Sequence, residues 1–254
     1  PYVGKDTIII LNPGRTFGAI DFAAHLKMHG VKELPHIAET QTIVYTCRKS
    51  SENSATIFAM KEGVAIASLQ KRDIAWILSQ MPNCLKPYFV CEDNVVATSM
   101  SNVGMILHCA PVLMNIGWIE NEKVSYKYYY EGISESIARV LERMDKERVQ
   151  VARQLGCAVE TAEAWLKRIY QLDGEGIYEC IRNNKAYREI DAPPDLQHTR
   201  YILEDVPAGL VPVEYLGRQL KVDVSTISLI IDLANIVYKE DFRRIGRKIS
   251  VDDL

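Results

Sequence analysis

Ser101-Asn-Val-Gly-Met-Ile-Leu-His-Cys-Ala-Pro111 is the stretch at which the period of the chain changes. Before it, short β-branched runs alternate with helical spacing, the pattern of an α/β layer with mainly parallel strands. Strands are expected at residues 7–11, 37–38, 43–45, 56–60 and 94–97, with helices at 19–28 and 73–80. After it the strand signal disappears. Residues 101–118 read as an apolar helix kinked at Pro111, because proline lacks an amide donor and clashes with the preceding turn. Ile133, Ile137, Val140, Leu141, Met144 and Leu155 then stripe a long helix that Gly156 closes. Further helices are expected at 158–170, 177–182, 213–220 and 225–238. The fold class is therefore α/β followed by all-α, with domains at residues 1–100 and 101–254.

The bulk properties narrow the function. The 254 residues are 48% hydrophobic, enough for one large core or two moderate ones. The formal net charge is −3, with basic and acidic residues interspersed, which argues against a nucleic-acid partner. Cys47, Cys84, Cys91, Cys109, Cys157 and Cys180 form no Cys-x-x-Cys pair, so no metal site is expected and reduced thiols in the cytoplasm are. No uninterrupted apolar run reaches the ~18 residues that span a bilayer, so no membrane partner is expected.

Three groups of residues invite a chemical reading. His108 lies in an apolar run, where its imidazole is the one strong proton carrier; a satisfied core histidine is the plainer alternative. In His198-Thr-Arg-Tyr-Ile-Leu-Glu-Asp-Val-Pro207, Arg200 has the planar fork for bidentate capture of a carboxylate, and Asp205 could tune an imidazole. An Arg200 salt bridge to Glu204 or Asp205 would explain the same letters. Glu39 falls near the end of a strand-like segment, where open α/β sheets present ligand groups. Asn12-Pro13-Gly14 is the nearest glycine-bearing strand-to-helix turn to a phosphate loop, although it equally suits an ordinary connection. Tyr126, Tyr128, Tyr129 and Tyr130 suggest core or interface packing, with an aromatic wall or a partner surface as alternatives.

In order along the chain, Leu11-Asn-Pro-Gly-Arg15, Glu39-Thr40, Tyr45-Thr-Cys-Arg48, Asn102 with His108 and Pro111, Tyr130-Glu-Gly132, Asp145-Lys-Glu-Arg148, Arg200 to Pro207 and Gly246-Arg247 resemble the octopine and nopaline (opine) dehydrogenase family. The resemblance implies a Rossmann-type domain followed by a helical substrate domain. It implies an oxidoreductase that reductively condenses an amino acid with a 2-keto acid using NAD or NADP as cofactor. His108 would be the catalytic histidine and Asp205 the carboxylate that orients it. Arg200 would hold a substrate carboxylate, Glu39 would recognise the amino-acid partner, and Asn12, Pro13 and Gly14 would face the cofactor.

One departure accompanies the match. The family's Gly-x-Gly-x-x-Gly fingerprint is absent from the sequence, which reads as though the first half of the Rossmann-type domain were missing. A non-catalytic binding or oligomerisation module is therefore one alternative. A related dehydrogenase acting on a hydroxy acid is another, and a homodimer is left open.

Overall fold

The computed structural model describes residues 3–121 and 123–254, the side chains of residues 48–50 excepted, so the Arg48 side chain of the Tyr45–Arg48 block lies outside the described residues. The chain divides into two compact units, Pro1–Asn102 with Asp252–Leu254, and Val103–Val251.

The first unit is built on strands β1 (Ile8–Leu11), β2 (His36–Thr40), β5 (Val64–Ser68) and β6 (Phe89–Cys91), in the order β1-β2-β5-β6. Its pairings follow from its connections. Helix α1 (Gly18–Met28) crosses from β1 to β2, and α2 (Ile74–Gln80) lies between β5 and β6; both strand pairs are parallel. Between β2 and β5 there is instead an antiparallel hairpin, β3 (Tyr45–Ser51) with β4 (Ser54–Met60), and no crossover helix. The chain therefore returns antiparallel, with Glu39 opposite Ala67. The sheet is mixed where a mainly parallel one is expected from the sequence.

Both faces of this sheet are covered, as the two-residue period of β2 requires. Ile37 packs with Ala19, Ala23, Ala67 and Val95 on one side. Ala38 packs with Ile66, Ile77 and Met81 on the other. Burial on both faces explains why β5, Val-Ala-Ile-Ala-Ser, shows no alternation in its sequence.

The strand expected at 94–97 is the start of helix α3 (Val95–Met100). Asn94 is extended, and its side chain accepts a hydrogen bond from the Ala97 amide at 3.1 Å. That N-cap outweighs the β preference of Val95 and Val96.

The second unit is helical: α4 (Gly104–Met114), α5 (Ile116–Ile119), α6 (Glu135–Gln154), α7 (Ala162–Tyr170), α8 (Gly176–Asn183), α9 (Arg200–Leu203), α10 (Val211–Gln219), α11 (Ser225–Tyr238) and α12 (Phe242–Ile245). Val95–Met114, which contains α3 and α4, is long and apolar enough by composition to cross a membrane, a property the run-by-run reading misses. Most of it is buried inside the protein, the pattern of core helices. Buried charges anchor the helix ends. Glu147 on α6 accepts from the Thr226 and Ile227 amides at 3.0 and 2.9 Å, capping α11. Asp145 accepts from the Ala162 amide at 2.7 Å while pairing with fully buried Arg148, which ties the start of α7 to α6.

The single helix expected at 101–118 with a kink at Pro111 is instead two: α4 runs through the proline to Met114, and the interruption falls at Asn115. The proline removes the amide that would have bonded the Leu107 carbonyl. The Tyr128 hydroxyl stands in for it, donating towards the Leu107 and His108 carbonyls at 3.3 and 2.7 Å.

Candidate active site

Helix α4 carries His108, and the segment between α9 and α10 carries Asp205. Asp205 directly precedes a π-helical turn, Val206–Leu210, an element that recurs at functional sites because it re-aims neighbouring side chains. Gly209 lets this turn lie against α4: a Cβ there would stand 2.9 Å from the Met105 Cβ. The close approach brings together two residues 97 positions apart.

His108 Nδ1 and Asp205 Oδ2 are 2.7 Å apart, with the carboxylate only 1% exposed and the imidazole 16%. An ionised carboxylate can only accept, so Nδ1 carries the proton and the neutral ring presents its lone pair at Nε2. That nitrogen lies 3.1 Å from the Tyr129 hydroxyl. Tyr201 stacks on the imidazole at a centroid distance of 4.0 Å and an interplanar angle of 17°. Tyr187 stacks on Tyr129 at 4.0 Å and 16°. Burial holds the phenols of Tyr128 and Tyr187 well above the usual tyrosine range, so both are neutral donors. An imidazole with one fixed proton and one available lone pair can take up and return a proton near neutral pH.

Arg200 belongs to the same segment but has a different setting. Its side chain is 74% exposed and its Nε bonds Glu204, four residues on, which is the salt bridge that the sequence allows. The bond to Glu204 is the main reason its guanidinium is held above its ordinary value, despite partial burial; the charges of Glu204 and Asp205 add to it. Its guanidinium carries further N–H donors besides Nε.

Glu39 is not at a ligand-facing surface. It is fully buried, and its carboxylate accepts from the Ala19 amide and the Thr98 hydroxyl, each at 2.8 Å, and from the Ser99 hydroxyl. Ser99 Oγ in turn accepts from the Phe17 amide at 2.8 Å. The anion at the start of α1 is therefore a side chain of the protein itself.

This bears directly on the turn expected to face a cofactor. A Cβ on Gly14 would fall 2.5 Å from Glu39 Oε2, so glycine is needed there to admit the glutamate. The Gly14 amide bonds the Thr40 carbonyl at 3.2 Å, and Asn12 Oδ1 accepts from the Thr40 hydroxyl at 2.9 Å. A dinucleotide pyrophosphate needs helix-start amides that point outward and lack an anion. Asn12, Pro13 and Gly14 do not fit that group, because Glu39 and Ser99 already hold the amides of Ala19 and Phe17.

Tyr129, Tyr128 and Tyr201 are the site residues that sequence reasoning passes over. The tyrosine cluster is visible in the letters, but its reach back to His108 across the connection from α5 to α6 is not. Pro111 is the one available signal, since an orphaned carbonyl four residues before it needs a donor.

Comparison with known proteins places the chain among relatives. Residues 91–238 match the family model described as NAD/NADP octopine/nopaline dehydrogenase, alpha-helical domain. An opine dehydrogenase from Arthrobacter sp. (strain 1C) is 36% identical over 249 residues, 98% of this chain and 68% of the relative. Two solved structures of octopine dehydrogenase share the fold at 17% identity. The complex with NADH and L-arginine has a TM-score of 0.71 and covers 94% of this chain and 64% of its own. The complex with NADH and pyruvate has a TM-score of 0.66 and covers 93% and 63%. The chain spans about two thirds of the length of these relatives.

Proposed function

The chain belongs to the NAD/NADP-dependent octopine/nopaline dehydrogenase family, and on that premise we propose that it supplies the acid–base centre and a substrate anchor for the reductive condensation of an amino acid with a 2-keto acid. The observation that carries this reading is the His108–Asp205 pair, 2.7 Å apart with the carboxylate buried. NADH or NADPH supplies the hydride in this family; the steps that belong to this chain's own residues are protonic.

Condensation joins the amine nitrogen to the keto carbon as a carbinolamine and then expels water to leave an imine. Two protons pass from nitrogen to that oxygen, one as the carbinolamine forms and one as water leaves. His108 Nε2 carries each in turn: it accepts a proton from nitrogen, and the resulting imidazolium delivers it to the oxygen. Asp205 keeps the exchange at Nε2 by fixing the Nδ1 proton, and it stabilises the imidazolium while it lasts. Arg200 takes a substrate carboxylate on the part of its fork that Glu204 does not use, and so orients the reacting carbon. L-arginine and pyruvate, present in the octopine dehydrogenase complexes, exemplify the two substrate classes.

Replacement of His108 by Ala tests the reading. In the enzyme, turnover of NAD(P)H with paired amino and keto acids falls by about 10²- to 10⁴-fold, the usual contribution of a general acid–base, while cofactor affinity is unchanged. Retained turnover would reject His108 as the proton carrier. The family match argues against a non-catalytic module.

A further inference from the structure

The catalytic nitrogen of His108 already has an occupant. Nδ1 faces Asp205 at 2.7 Å, and Nε2 faces the Tyr129 hydroxyl at 3.1 Å. Tyr129 is only 3% exposed, and its ring is clamped between an edge contact with Tyr128 at 4.9 Å and a stack on Tyr187 at 4.0 Å. Tyr187 itself meets Tyr170 edge-on at 5.2 Å. The hydroxyl is thus a fixed group of the unit's interior. With Nδ1 protonated, the neutral ring accepts at Nε2, and the phenol is the donor there.

We propose that Tyr129 is a positioning residue that occupies Nε2 of His108 in the substrate-free protein and yields that nitrogen to the reacting amine or hydroxyl when substrate binds. The proposal rests on the acid–base role of His108 and deepens it. Nε2 has a single lone pair, so it cannot accept from Tyr129 and from substrate at once. While Tyr129 holds it, the imidazole is fixed by hydrogen bonds at both nitrogens and by Tyr201 on its face, and the ring cannot flip. The contact therefore pre-orients the base and shields it from adventitious proton exchange. Asp205, Tyr129 and Tyr201 touch the imidazole directly, and Tyr128 and Tyr187 hold Tyr129 in place.

Tyr129→Phe keeps the ring and both aromatic contacts but removes the hydroxyl. A water that takes its place exchanges far more readily than a buried phenol. The experiment measures carbethoxylation of His108 by diethyl pyrocarbonate, which attacks a free imidazole lone pair. Peptide mass analysis separates His108 from His25, His29, His36 and His198. Modification of His108 is expected to be roughly two- to tenfold faster in Tyr129→Phe than in the wild type, the factor that one hydrogen bond of ordinary net strength corresponds to. An unchanged rate in a variant with a wild-type melting temperature would overturn the proposal. If the variant does not fold, the ¹⁵N shift of Nε2 in the wild-type chain decides instead. A shift typical of a hydrogen-bonded acceptor supports the occupancy, and that of a free lone pair rejects it. Neither readout needs turnover, so the proposal stands or falls separately from the dehydrogenase reading. In the active enzyme, Tyr129→Phe lowers KM while kcat changes less, a split that a loss of packing would not produce.

Discussion

Glu39 and Asp205 are both acidic residues buried almost completely, one in each unit, and both stand out in the sequence as candidates for a site. Their partners separate them. Glu39 accepts from an amide and two hydroxyls, none of which changes charge near neutral pH. Asp205 accepts from an imidazole, which does. A buried carboxylate that accepts from an amide and hydroxyls fastens chain segments together: Glu39 holds the start of α1 to α3. A buried carboxylate against a titratable ring sets a proton's position, and on the proposed function its removal is expected to cost rate more than stability. Burial alone does not distinguish the two; the chemistry of the partner does.

Glu39→Ala strains that contrast most. It strands the Ala19 amide and two hydroxyls inside the first unit, so the protein loses about 2–4 kcal/mol of unfolding free energy, read from denaturant melts. KM values of the molecules that remain folded should not change. A variant of normal stability with an altered amino-acid KM would return Glu39 to the substrate-binding role expected from the sequence.

Arg200→Lys probes the smaller side of the comparison. Arg200 is exposed and bonds Glu204 at the surface, so stability should stay within ~0.5 kcal/mol. Lysine lacks the planar fork, and the KM of the keto acid should rise by roughly tenfold. An unchanged KM would leave Arg200 as half of a surface ion pair.

How much of this could be read from the letters depends on the range of the interaction. The change of period at 101–111 marks where strands give way to helices, and the span of α11 follows from its apolar stripe and flanking residues. Local signals fail where a longer-range one decides. The antiparallel return of β5 is set by the missing crossover after β2, and β5 itself is hidden by burial on both faces. Asn94 turns two valines into a helix start by capping it. Glu39 sits near a strand end as expected, but its depth is set by α3, whose packing no local pattern describes. His108 and Asp205 are 97 residues apart, and their pairing was legible only through the order of blocks shared with a family.

The central claim is that His108 and Asp205 act as one acid–base unit, and a double-mutant cycle on turnover tests it most directly. Asp205→Asn alone should remove most of the rate, because an amide no longer fixes the Nδ1 proton or stabilises the imidazolium. Combined with His108→Ala it should cost nothing further, since residues that work as a unit lose their function together. Losses that multiply in the double variant would contradict the account and reduce the 2.7 Å contact to a packing interaction between independent residues.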